Sequence, residues 1–294
     1  MTIRSLTGPP LLVEPPPLVE RRVIARARTA ALATDVDNVY FGDLATDQLY
    51  AAPKRGGDRI SIGDRAPLEI ALGERITWIG APGNVLLAAR PAGGSSVLIQ
   101  TSETFTDLAS DSRDVLITAA TEASGVLLRI SDSAASQVAS LAARPLALAT
   151  DSMNAYVLSD RAIHAVPRTG GAPRVVLEGV SLAGLEVSGG FIFTTAIVGP
   201  SRALLRTSTS GGAPVVLSHA VRGVPFSVFA DDVYFLAADQ PELRRVAVLG
   251  GAFGFVARAP ELERAAELVV DGSGIYLATE DEIGPVVLGL PRPP

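Results

Sequence analysis

Cysteine is absent from the 294 residues. That excludes disulfides, thiol nucleophiles and Cys-ligated zinc together, and it leaves the compartment open, because a Cys-free chain folds in either redox environment. No apolar run approaches the roughly 18 residues of a membrane span. The N-terminal MTIRSLTGPPLLVEPPP has neither an apolar core nor a cleavage-site pattern, so no secretory signal is expected in it. Lysine occurs once, at Lys54, and arginine supplies the other positive charges, which reads as codon bias. The net charge of −6 lacks the basic face that broad nucleic-acid binding needs. Aromatics are scarce. Histidine occurs twice, at His164 and His219, and there is no G-x-S-x-G elbow to pair with either.

Short apolar runs separated by turn signals fill the rest of the chain. Residues 145–179 read PLALATDSMNAYVLSDRAIHAVPRTGGAPRVVLEG. Four strand-like runs alternate there with turns at Asp151–Asn154, Ser159–Asp160 and Thr169–Pro173. Related blocks begin at Ala30, Leu68, Thr106, Leu182, Pro225 and Ala266. Each has an apolar strand ending in a polar turn (Asp35, Asp111, Asp151, Asp231, Asp271). A strand of the Val39-Tyr40-Phe41 type follows, then a third strand, a Gly-Gly step and a fourth strand. The Gly-Gly pairs start at Gly56, Gly93, Gly170, Gly211 and Gly250; the 106–141 block has Ser133-Ala134 instead. A two-residue hairpin favours positive φ at its centre, which glycine reaches without a Cβ clash. The Asp and Asn residues are read as turn formers through bonds to their own backbone. Trp78, Tyr40, Phe41, Phe193, Tyr234, Phe235 and Tyr276 recur at one block position, which argues for packing between blocks.

The last block ends without a fourth strand, and residues 18–28 resemble one. The reading is therefore all-β: a seven-bladed β-propeller of four-stranded antiparallel blades, closed by an N-terminal strand that completes the last blade. Six blades is the alternative if 106–141 is misread. Residues 18–294 form one domain. Residues 1–17 form a Pro-rich extended tail, a solvated segment before it is an SH3-type ligand.

The block pattern resembles bacterial propeller repeats of the YWTD, NHL and TolB-like group. Asp151, Ala155-Tyr156-Val157 and Gly170-Gly171-Ala172-Pro173 carry the likeness, and Gly211-Gly212-Ala213-Pro214 repeats its second half. It covers about residues 18–290. The resemblance implies a propeller fold, and a ligand face formed by the loops between second and third strands and between blades.

On that face fall Asp43, Asp47, Asp160, Asp239, Glu242, Glu280, Asp281 and Glu282, with Asp64, Glu103, Glu261, Glu263, Arg65, Arg144, Arg222 and Arg264. The expectation is an acidic face with a few arginines, suited to a protein partner. No cofactor is called for. Calcium, held in part by Glu280, Asp281 and Glu282, is the weaker alternative, and Asp35-x-Asp37-Asn38 is a weaker fragment still. His164 falls in a third strand and His219 at the end of a fourth, away from the ligand face. Three functions follow: a non-catalytic binding or scaffold propeller, a metal-dependent hydrolase or lactonase, and a structural subunit of a bacterial assembly.

Overall fold

The second strands show why these blocks do not stand alone. Ile76–Gly80 is buried along its whole length, and Asn154–Leu158 and Asp232–Ala237 are buried beyond their first residue. A strand buried on both faces needs a neighbour on each side of its sheet. The computed structural model describes residues 20–81, 83–89, 94–110, 114–131, 134–179 and 181–293. It forms seven four-stranded antiparallel sheets. Blades 1 to 6 span 32–64, 67–100, 104–141, 147–178, 183–219 and 221–258. Blade 7 takes 267–290 for its inner three strands. The six-blade alternative is excluded, because 104–141 forms a complete sheet. Residues 1–17, Gly93, Asp111 and Ser133 lie outside the described residues.

The outermost strand of blade 7 is Arg22–Ala25, paired antiparallel with Gly284–Leu290 (Arg22 opposite Gly289, Val23 opposite Leu288). Closure falls inside the stretch the sequence marks for it. Arg26 holds it with a two-pronged bond to Asp281 (2.8 Å on each oxygen), and Arg21 pairs with Glu261. Lys54 of blade 1 pairs with Asp271 of blade 7.

Apolar burial is distributed as one cluster per blade–blade interface. Tyr40, Leu49 and Ile62 meet Trp78 and Leu87 between blades 1 and 2, and Leu116, Ala139 and Leu141 meet Val157 and Val166 between blades 3 and 4. Tyr40, Tyr156, Tyr234 and Tyr276 face the following blade. Trp78 breaks the expected recurrence: it faces the preceding blade and packs with Tyr40. Blade 2 is offset by one residue, and strand alternation then turns its large ring to the other side. Phe193 stands on the tyrosine side in blade 5 for the same reason, while Phe41 and Phe235 face backward.

The turns differ from expectation in one respect. Gly170-Gly171 is not a two-residue hairpin; it lies in the connection between Ala162–Pro167 and Arg174–Glu178. Gly170 closes a turn by donating its N–H to the Pro167 carbonyl (2.9 Å) and has φ of +93°. Gly171 follows at +137°. Two successive positive φ values explain the glycine pair. The Asp turns also do more than expected. Asp151 accepts the N–H groups of Met153 (2.8 Å) and Asn154 (2.7 Å) on one oxygen and the Tyr156 hydroxyl (2.7 Å) on the other. Asp35 treats Asp37, Asn38 and Tyr40 alike.

Candidate functional site

Antiparallel order fixes two rims. Turns between first and second and between third and fourth strands lie on one; second-to-third and inter-blade loops lie on the other. The expected site residues lie on the second rim, in two populations. Asp43, Asp47, Arg65, Arg222, Glu242 and Asp281 are engaged in structural bonds. Asp43 is buried against Arg59 (3.0 Å). Asp47 accepts the Ala66 N–H (2.8 Å), and Arg65 donates to the Ala81 carbonyl (3.1 Å). Arg222 donates to the Leu262 (2.7 Å) and Ala265 (2.5 Å) carbonyls of the next inter-blade loop. Glu242 lies between Arg244 (2.6 Å) and Arg258. Burial alone would raise its pKa, but the hydrogen bonds from those two arginines outweigh burial and hold it below the usual range.

Asp160, Asp239, Glu280, Glu282 and Arg144 are exposed, as are Asp64, Glu263 and Arg264. Asp160 faces Arg161 at 3.6 Å, Asp239 faces Arg244 at 3.5 Å, and Glu280 stands 3.9 Å from Arg264. The rim is therefore a mixture of paired and unpaired charges of both signs. Asp281 binds Arg26 through both oxygens and accepts the N–H groups of Ile283 (2.9 Å) and Gly284 (3.1 Å), so both its oxygens are already engaged. Among the described residues no three Asp, Glu, His or Cys side chains converge to hold a metal ion. His164 lies in the third strand of blade 4 and His219 ends the outermost strand of blade 5.

A second set of carboxyls escapes sequence reasoning. The innermost strands pack side by side around the axis, and four carry an acid: Glu69 in blade 2, Asp107 in blade 3, Glu186 in blade 5 and Glu267 in blade 7. Two of them bond to the next blade. Asp107 accepts the Leu148 N–H (2.6 Å) and Glu186 the Val228 N–H (2.8 Å), while Ser227 accepts the Val270 N–H (3.3 Å) in the same way. An innermost strand has a free edge, and the preceding blade's side chain satisfies its backbone donor. The sequence signal was an acid inside an apolar first strand, in LEIAL, TDLAS, GLEVS and AELVV, which tight turn motifs nearby overshadowed.

Each of these carboxyls is partly open to the bore yet crowded by protein. Burial pushes Glu186 up to about 8, against the Val228 N–H, which favours the charged form. Burial and then the Asp107 charge push Glu267 up to about 7. Burial raises Glu69, aided by Asp107 and Glu267, and burial raises Asp107 despite its two N–H donors. A carboxyl that keeps its proton near neutral pH can donate it, but no histidine stands on an innermost strand to complement it.

No protein-family model matches the chain, and no curated protein matches it in sequence. Its three-dimensional likenesses are wide. Virginiamycin B lyase from Staphylococcus aureus superposes with a TM-score of 0.72 at 11% identity, covering 94% of this chain and 99% of that one. Oligogalacturonate lyase in complex with manganese gives 0.70 at 11% identity, over 92% and 91%. The WD40 β-propeller domain of Doa1 gives 0.68 at 10% identity, over 92% and 96%. At such identities the likeness establishes the propeller fold.

Proposed function

We propose that the chain is a non-catalytic binding propeller that engages a protein through the rim of second-to-third and inter-blade loops. One observation carries this reading. Going round from blade 4 to blade 1, successive blades each present an exposed apolar side chain on that rim: Leu146 (48% exposed), Ile197 (41%), Val224 (51%), Ile283 (78%) and Leu44 (40%). Asp160, Asp239, Glu280, Glu282, Arg144 and Arg264 lie among them. An apolar arc interspersed with charge is the composition of a protein-binding surface. In its turns the opposite rim exposes Val36, Met153, Leu249 and Phe253, on blades 1, 4 and 6, and beside them Ile60, Val175 and Val215 stand at the starts of outermost strands in blades 1, 4 and 5. The test is co-purification from the source cells. The Leu146→Glu, Ile283→Glu double variant is expected to lose its partner while Val36→Glu keeps it; retention by the double variant overturns the reading.

Hydrolytic or lyase acid–base chemistry is a second reading, favoured by the proton-holding carboxyls of the bore; its metal-dependent form has no convergent ligand set among the described residues. It expects turnover that falls with Glu267→Gln, and a rise in Tm on adding Ca2+; an unchanged Tm counts against a calcium site.

A further inference from the structure

One position of each third strand points into the interface with the preceding blade. It lies opposite the second-strand residue that follows the tyrosine position. Register places Tyr50, Val85, Leu128, His164, Leu205, Arg244 and Leu288 there in blades 1 to 7. Five are apolar or aromatic, and Arg244 is held by Glu242 and Asp239. His164 alone is polar and unengaged: neither ring nitrogen has a hydrogen-bond partner among the described residues.

Beside it lies a cavity of about 240 Å³ between the outermost strand of blade 3 and the sheet of blade 4. Leu141, Val157 and Val175 wall it, and Ser140, Ser159 and His164 bring polar atoms to it. The Ser159 hydroxyl is taken up by Ala162, donating to its carbonyl (3.0 Å) and accepting its N–H (3.2 Å). Ser140, exposed at the mouth, accepts from Gln137 (2.8 Å) and keeps its own proton free to donate. Burial lowers the His164 pKa, with Glu178 pulling the other way, so the imidazole is neutral at physiological pH, a donor at one nitrogen and an acceptor at the other.

We propose that this cavity binds a phenol, the group that Tyr50 places at the same register of blade 1. There the Tyr50 ring stacks on Phe41 with centroids 6.0 Å apart, and its hydroxyl meets the Thr46 hydroxyl at 3.2 Å. Blade 4 has Val157 in place of Phe41 and the smaller imidazole of His164 in place of the Tyr50 phenol, so side-chain volume is reduced on both strands. A space between two facing sheets is a slot, which suits a flat ring. The phenol hydroxyl donates to one imidazole nitrogen and accepts from Ser140, and the apolar walls take the ring. A few polar groups in an apolar concavity is the usual make-up of a small-molecule site. The inference is independent of the rim reading, since it uses none of the exposed side chains on which that reading rests.

The probe is p-cresol, followed by NMR of the imidazole ring protons. With only His164 and His219 in the chain, a His219→Ala variant assigns both signals. Millimolar p-cresol is expected to move the His164 signals in a saturable way and leave those of His219 in place, with toluene at least tenfold weaker. His164→Leu, which installs the residue found here in blades 3, 5 and 7, is expected to fold and to bind p-cresol at least tenfold more weakly. Unmoved His164 signals, equal binding of toluene, or unchanged binding to His164→Leu overturns the proposal. N-acetyl-tyrosinamide separates the sources: binding as tight as p-cresol assigns the site to a tyrosyl side chain, and weaker binding assigns it to a free phenol.

Discussion

Single residues hold the blades together in two ways. The first is the pair formed by a turn aspartate and the tyrosine five residues on, as in Asp151 and Tyr156. Removing Asp151 frees two backbone N–H groups and a buried hydroxyl, so Asp151→Ala is expected to cost about 2 kcal/mol in urea unfolding. Tyr156→Phe, which loses one bond and leaves the turn intact, is expected to cost about 1 kcal/mol. The second is the set of inner-strand carboxyls. Glu186 has a folded pKa of about 8 against an ordinary 4.5, with burial as the main cause. The folded form therefore keeps a proton that the unfolded chain releases above pH 4.5. Its contribution is full below that pH and is lost as pH rises toward 8. Glu186→Gln keeps an acceptor for the Val228 N–H and removes the titration. It is expected to flatten the fall of Tm between pH 5 and 8.5 and to raise Tm at the upper end; an unchanged slope contradicts the assignment.

At the scale of elements, the closing strand is short, and side chains beyond it secure it. Asp281 is held below the usual carboxylate range, first by the Arg26 hydrogen bond and then by neighbouring N–H groups, against the effect of burial. Such a group stabilises the fold above the ordinary aspartate pKa, and the stabilisation is lost as pH falls below it. Asp281→Asn is therefore expected to melt earlier than the parent at pH 7 and to converge with it in acid. Strand order and closure were legible because turn chemistry is local: the Asp turns, Gly-Gly steps and missing last strand are all written in short stretches. The offset of blade 2 was not, because a one-residue slip preserves composition and reverses only which face a side chain takes. The Glu69, Asp107, Glu186 and Glu267 set was hidden for a related reason, since convergence on the axis joins residues from distant blocks. The acids named from the sequence share one rim, but burial against Arg59, Arg258 and Arg26 decided which of them face solvent, and no local pattern encodes those partners.

For the molecule as a whole, the ring is packed at its seven apolar interfaces, and its variety lies at the rims and in the spaces between blades. The claim that matters most is that a partner protein is met by one rim. It is tested most directly by placing a photo-crosslinking amino acid at Ile283 or, in a separate variant, at Val36 on the opposite rim, and illuminating the source cells. The account predicts a discrete crosslinked protein from position 283 and none from position 36. Crosslinking from position 36 alone, or from neither position, would contradict it.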